Sequence, residues 1–256
     1  MNRTGIDIST APPYTVLWWS HLLGNPQSLY NLCSWRQDGT ISVSDDVVYV
    51  TEVGTKRNGC CDRSREIKVD SSEDLERLRN DLLTKPILFH AKVQHLQEDD
   101  YVVFKHLKTW TAELAVLVNT KFPTIQEVLT SKLNQATQAM QEGKRFCLKL
   151  KFGEVVMQWY AQQVDPHLGL ERTDFGSMTF YIHNCSSPIN CCLNPLVIVC
   201  CFPLWLFGGS CYCIQRKMDC MDVSHCFRDI PVNSLTQDIK ACSHLKNSFS
   251  IRKCFS

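Results

Sequence analysis

The sequence predicts an α+β fold: an antiparallel β-sheet with amphipathic helices, followed by a C-terminal membrane-associated helix or helical hairpin. Three observations predict it. Apolar residues alternate through several short segments set off by turn residues, as in strands with one buried face. Two other segments repeat apolar residues at three-and-four spacing between helix start and stop signals. Finally, the chain from Asn184 to Gln215 contains no Asp, Glu, Lys or Arg, a length of uncharged sequence that core elements of soluble domains rarely reach. The expected organisation is an α+β soluble region over 1–190, a hydrophobic membrane segment over 193–214, and a short Cys-containing basic tail over 215–256.

Along the chain, "APPY" from Ala11 marks a leader, and "YTVLWWSHLL" from Tyr14 makes a poor signal peptide, with two Trp and a His where a smooth apolar stretch is needed. It is expected to be a buried strand or helix. "GNPQS" from Gly24 reads as a turn. From Ser34 to Val53 an Asp38-Gly39 turn precedes alternating Ile41, Val43, Val47 and Tyr49, which predicts two strands joined by a hairpin. Asn58-Gly59 is a second hairpin signal, so the first third reads as a small antiparallel sheet.

Ser71 with Asp74 three residues on, then Leu75, Leu78 and Leu82 on one face and Pro86 beyond, predicts a capped helix. "ILFHAKVQHL" alternates as a strand. Val103, Leu107, Trp110, Leu114 and Leu117 then recur at helical spacing, and a helix is expected there. Pro123 at the start, the stripe Ile125, Val128, Leu129, Leu133, Ala136 and Met140, and Gly143 at the stop predict another helix. Phe146, Leu148, Leu150 and Phe152 alternate with Arg145, Cys147, Lys149 and Lys151, a strand with one basic face, and Phe180 to Ile182 reads as a last strand.

The function classes narrow from composition. At 256 residues the chain can bury a large core without disulfides or metal. Lys and Arg number 27 against 26 Asp and Glu, so the basic excess of a nucleic-acid binder is missing and no nucleic-acid partner is expected. Of the 15 cysteines, only Cys33, Cys60, Cys61 and Cys147 precede Cys185, an enrichment that tracks the apolar run and points to membrane-proximal chemistry rather than a disulfide framework.

The run from Leu193 to Ile214 is long enough to cross a hydrocarbon core of about 30 Å as a helix. Pro203 and Gly208-Gly209 interrupt it, and a break at Pro203 would turn one span into a hairpin. Arg216 and Lys217 after the run place the tail in the cytosol by the positive-inside rule, whereas the poor leader argues against translocating the region before it. A hairpin returning to the cytosolic face reconciles the two. The triplets at Asn2 and Asn184 that match glycosylation acceptors decide little. The localisation expected is membrane, with the membrane itself as partner.

Cys191, Cys192, Cys200, Cys201, Cys211 and Cys213 flank or enter the run and are the candidate lipidation sites. Cys211, Cys213, Cys220, His225 and Cys226 are a competing set of soft ligands, yet no Cys-x-x-Cys occurs, so neither metal nor cofactor is expected. In "KRNGCCDRSR" a tight Asn58-Gly59 turn would gather Lys56, Arg57, Arg63 and Arg65. The pattern resembles the lysine, spacer, Arg-x-Arg arrangement on the first hairpin of phosphoinositide-binding pleckstrin-homology domains. That resemblance covers about ten residues and implies headgroup binding by Lys56, Arg63 and Arg65; the seven strands and closing helix of that fold are not traceable along the chain.

No G-x-S-x-G, H-E-x-x-H, P-loop or G-x-G-x-x-G is present. The sequence therefore predicts a membrane-anchored non-enzymatic adaptor or interaction protein that contacts anionic lipid or a protein partner through Lys56, Arg57, Arg63 and Arg65. The alternatives are a membrane-bound Cys-dependent hydrolase or acyltransferase, with Cys147 as nucleophile and His90 or His95 as base, and a Cys-rich metal or redox module.

Overall fold

The structure is a computed structural model and describes residues 11–24, 33–35, 41–43, 45, 47–53, 65–101, 104–164, 172–184 and 220–234. Strand β1 (Tyr14–Trp18) runs directly into helix α1 (Trp19–Gly24), so the apolar stretch near the N-terminus is a buried strand and a helical turn in succession. Strands β2 (Cys33–Trp35) and β3 (Ile41–Val43) form the antiparallel pair expected around Asp38-Gly39. Then come β4 (Val48–Val53), β5 (Arg65–Lys68), α2 (Ser72–Thr84), β6 (Ile87–Tyr101), β7 (Phe104–Val118), α3 (Pro123–Gln141), β8 (Arg145–Lys151), α4 (Gly153–Gln163), β9 (Arg172–Phe175), β10 (Thr179–His183), β11 (Cys220–Cys226) and β12 (Val232–Ser234).

The α+β class holds, but the sheets are mixed rather than antiparallel. The larger sheet runs β12-β1-β7-β6-β4, with β9 also paired to β6, and the smaller runs β11-β8-β10-β5. Parallel pairs β12 with β1 and β4 with β6 sit in the first, and β11 with β8 and β10 with β5 in the second. The strands on either side of Asn58-Gly59 thus belong to different sheets, so the first third is not one small antiparallel sheet. A pleckstrin-like hairpin would need those two strands paired with each other. Residues 54–64 lie outside the described residues.

Ser71 caps α2 by accepting the Asp74 N–H at 3.1 Å and donating its hydroxyl to the Asp74 carboxylate at 2.7 Å. Pro123 opens α3 at the position where its missing N–H costs nothing, and Gly143 (φ 69°) closes it, with the Lys144 N–H reaching back to the Ala139 carbonyl at 2.9 Å. The expected stripe of α3 is buried at Ile125, Leu129, Leu133 and Ala136, while Val128 and Met140 pack partly against the core.

The segment expected as a helix around Trp110 is instead β7, paired with β6 from Ile87↔Val118 to Tyr101↔Phe104. The physical reason is burial on two sides. Leu114, Val116 and Val118 enter the main core, whereas Ala115 and Leu117 join a second cluster with Leu17, Trp19, Leu22 and Leu88 beneath α1. A strand covered on both faces reads as a continuous apolar run, and its period of two disappears.

Both sheets and α2, α3 and α4 contribute to one core, where Phe89 meets Phe152 and Phe180 at 5.7 and 5.6 Å and Phe152 stacks on Phe227 at 4.6 Å. Phe227 comes from the stretch expected as a tail. Residues 220–234 supply a strand to each sheet and bury Phe227 and Ile230, so the chain returns to the folded region after the apolar run. The run over 193–214 expected to be a membrane segment lies outside the described residues, and among the described residues no helix is long and apolar enough to cross a membrane.

Candidate functional site

Strand β8 alternates strictly. Phe146, Leu148 and Leu150 enter the core, so Arg145, Cys147, Lys149 and Lys151 face the other way. Register then builds rows across the small sheet on that outer face. Cys147 stands opposite His183 on β10 and Asp222 on β11, and His183 stands beside Lys68 on β5. Lys149 stands opposite Tyr181 and holds its ammonium 4.6 Å from the ring centre, a cation-π contact. The Glu66 carboxylate lies 2.8 Å from Nε2 of the buried His183, at ion-pair distance but not aligned as a hydrogen bond. A thiol facing an imidazole that is backed by a carboxylate is the residue set of thiol-dependent acyl transfer.

The start of β8 is also where the apolar run leaves and rejoins the sheet. Asn184, the last described residue before it, accepts the Phe146 N–H on Oδ1 at 2.7 Å and donates Nδ2 to the Lys144 carbonyl at 3.1 Å; its own N–H reaches the Phe146 carbonyl at 3.4 Å. This clamp occupies the amide nitrogen that glycosylation at Asn184 would modify. Cys220, the first described residue after the run, pairs with Arg145. The two roots therefore flank one strand end, two strand spacings or about 10 Å apart.

At the opposite end of β11, Cys226 donates its thiol hydrogen to Glu154 Oε2 at 2.6 Å, and Arg228 grips the same carboxylate at 3.0 and 3.3 Å. Hydrogen bonding from Cys226, with Arg228 assisting, holds the Glu154 carboxyl below the usual carboxylate range. Burial, together with the carboxylate, pushes the Cys226 thiol up, so at neutral pH it is a poor nucleophile. Burial also pushes up the Tyr14 hydroxyl, which has no hydrogen-bond partner among the described residues. Burial and then Lys132 lower His225. The carboxylate joins the start of α4 to β11, a structural lock.

His90, one expected partner of Cys147, is on the wrong sheet. It faces α1 on the outer side of the large sheet, stacked on Trp19 with ring centres 3.7 Å apart and Nε2 3.2 Å from Glu113. The whole core separates it from Cys147. His95 lies on β6, where it pairs with Trp110 and Thr173, also in the large sheet. The imidazole that does face Cys147, His183, was missed because sequence spacing carries no cross-strand register. Its only signal was its place in the aromatic run from Phe180 to His183.

Of the expected lipid-binding residues, Lys56, Arg57 and Arg63 lie outside the described residues, and Arg65 opens β5 opposite Phe180. The expected lipidation sites Cys191, Cys192, Cys200, Cys201, Cys211 and Cys213 also lie outside them. Among the described residues no group of three His, Cys, Asp or Glu is placed to hold a metal ion. Compared with known protein families, curated proteins and solved structures, the chain matches none.

Proposed function

We propose that the protein is a membrane-associated, non-enzymatic interaction protein, an α+β domain that inserts its uncharged run into a bilayer as an excursion from the small sheet. The observation that carries this reading is the charge-free sequence between Asn184 and Gln215, rooted at both ends beside one strand. An apolar segment of that length has more to gain in lipid than in water. The pairing of β11 with β8 favours a hairpin over a single crossing, which would leave β11 across the bilayer from β8. The hairpin with Pro203 at its turn is the form that agrees with both roots. Lys56, Arg57, Arg63 and Arg65 supply contacts to anionic lipid or a protein partner. Acyl chains on Cys191, Cys192, Cys200, Cys201, Cys211 or Cys213 would deepen the anchor by about 0.8 kcal/mol per buried methylene.

Carbonate extraction combined with protease protection of tagged termini tests the reading. The chain should stay with membranes, and both tags should share one fate, digested together or protected together. Complete release by carbonate, or opposite fates for the two tags, sinks it.

The facing of Cys147 and His183 favours one second reading, a Cys-dependent hydrolase or acyltransferase with His183 as base and Glu66 holding the ring. It requires Cys147 to label fastest with a thiol-reactive probe at neutral pH and to slow in His183→Asn. Equal labelling of Cys147 in wild type and variant removes it.

A further inference from the structure

We propose that the outer face of β8, carrying Arg145, Lys149 and Lys151, is a docking surface for anionic lipid headgroups; this rests on the membrane reading above. The first ground is pairing. Lys68, Arg77, Arg79, Lys85, Lys92, Lys144 and Arg228 all have a carboxylate within ion-pair distance. Arg145, Lys149 and Lys151 have none among the described residues, nor do Lys121 and Lys132, which lie before and within α3. Three of these unpaired cations thus share one face of one strand, at alternate or next-alternate positions, each step of two residues spanning about 6.6 Å.

The second ground is position. This face begins where the apolar run leaves and returns, since Asn184 is clamped to Phe146 and Lys144 while Cys220 pairs with Arg145. A run inserted in a bilayer holds that end of β8 at the headgroup level, and a strand laid along the surface keeps Lys149 and Lys151, about 13 and 20 Å further on, within the distance over which surface charge acts. The third is the balance of the face: Glu66 is engaged with His183, and Glu154, whose charge Lys151 feels, is engaged with Cys226 and Arg228, leaving Asp222 as the other carboxylate in these rows, while Lys149 is steadied over Tyr181 rather than neutralised. The chemistry recognised is a plane of phosphate or carboxylate groups, with no base or sequence readout implied.

Co-flotation of the full chain with phosphatidylcholine vesicles, with and without phosphatidylserine, tests this. Wild type should float with both and more strongly with phosphatidylserine, the increment falling as salt rises. In a background carrying Lys56→Gln, Arg57→Gln, Arg63→Gln and Arg65→Gln, adding the triple substitution Arg145→Gln, Lys149→Gln, Lys151→Gln should keep flotation on neutral vesicles and lose the remaining increment, a drop on the order of a hundredfold if each cation is worth about fivefold. Lys149→Arg with Lys151→Arg should retain it, which separates charge from fold. An increment that survives the triple substitution, or that wild type never shows, overturns the proposal while the membrane reading stands. Wild type that floats with neither vesicle overturns both. Loss of duplex-oligonucleotide binding with vesicle binding unchanged would reassign the face to nucleic acid.

Discussion

A Cβ at Gly153 would stand 2.7 Å from the Ser177 carbonyl oxygen and 3.1 Å from its carbon, closer than backbone atoms allow. Neither neighbour can step aside freely: Thr179 donates its hydroxyl to Ser177 O at 3.0 Å, and the Phe152 N–H donates to Met178 O at 3.0 Å. Gly153→Ala should therefore cost about 1–3 kcal/mol, measured as a fall in urea midpoint; a midpoint equal to wild type would mean that the 176–178 segment yields without cost. One residue along, Glu154 titrates below its ordinary value because Cys226 and Arg228 bond its charged form. A carboxyl whose pKa is lower folded than unfolded contributes stability above the unfolded value, and that contribution fades as pH falls through the folded one. The midpoint of wild type should thus exceed that of Glu154→Gln at neutral pH. The gap should close below the usual glutamate pKa of about 4.3, and a gap that ignores pH would mean that the carboxylate charge stabilises nothing.

At the scale of elements, segments whose chemistry is local were legible. Helix α2 carries its start in Ser71 and its stop before Pro86, and α3 is bounded by Pro123 and Gly143. Replacing Ser71 with Ala removes the acceptor of the Asp74 N–H and should cost about 1 kcal/mol. Thermal or urea unfolding will read that loss, and an unchanged curve would show that the first turn is satisfied without the hydroxyl. Elements defined by long-range partners were not legible. Strand β7 hides its period because Leu114 and Leu117 are buried on opposite faces. Helix α4 lacks a side-chain cap, so nothing announces the change of period after Phe152. Strands β4 and β5 each pair in parallel with a distant segment, and a nearby Asn-Gly turn is then a misleading guide to partnership. The outer face of β8 was readable as a basic strand face. Its row with His183 and Asp222 was not, because register depends on which strands become neighbours.

For the whole molecule the decisive fact is that the chain comes back. Phe227 stacks on Phe152 inside the shared core and β11 pairs along the full length of β8, so residues 220–234 complete the fold that begins at β1. The apolar run is then an insertion between two strands of one sheet, and its ends, Asn184 and Cys220, are close enough for a short linker. Replacing 185–219 with about ten Gly and Ser residues shortens the loop. Loop-closure entropy alone then favours the variant by roughly 1 kcal/mol, and the clamp of Asn184 on Phe146 and Lys144 needs nothing from the deleted segment. If the run serves the bilayer, the shortened chain should fold with unchanged near-ultraviolet circular dichroism, a thermal midpoint no lower than wild type, and no retention on membranes after carbonate. If the run instead completes the hydrophobic core, excision exposes apolar surface, and the variant will aggregate or unfold well below the wild-type midpoint. That outcome would turn the uncharged stretch from an anchor into a packing element.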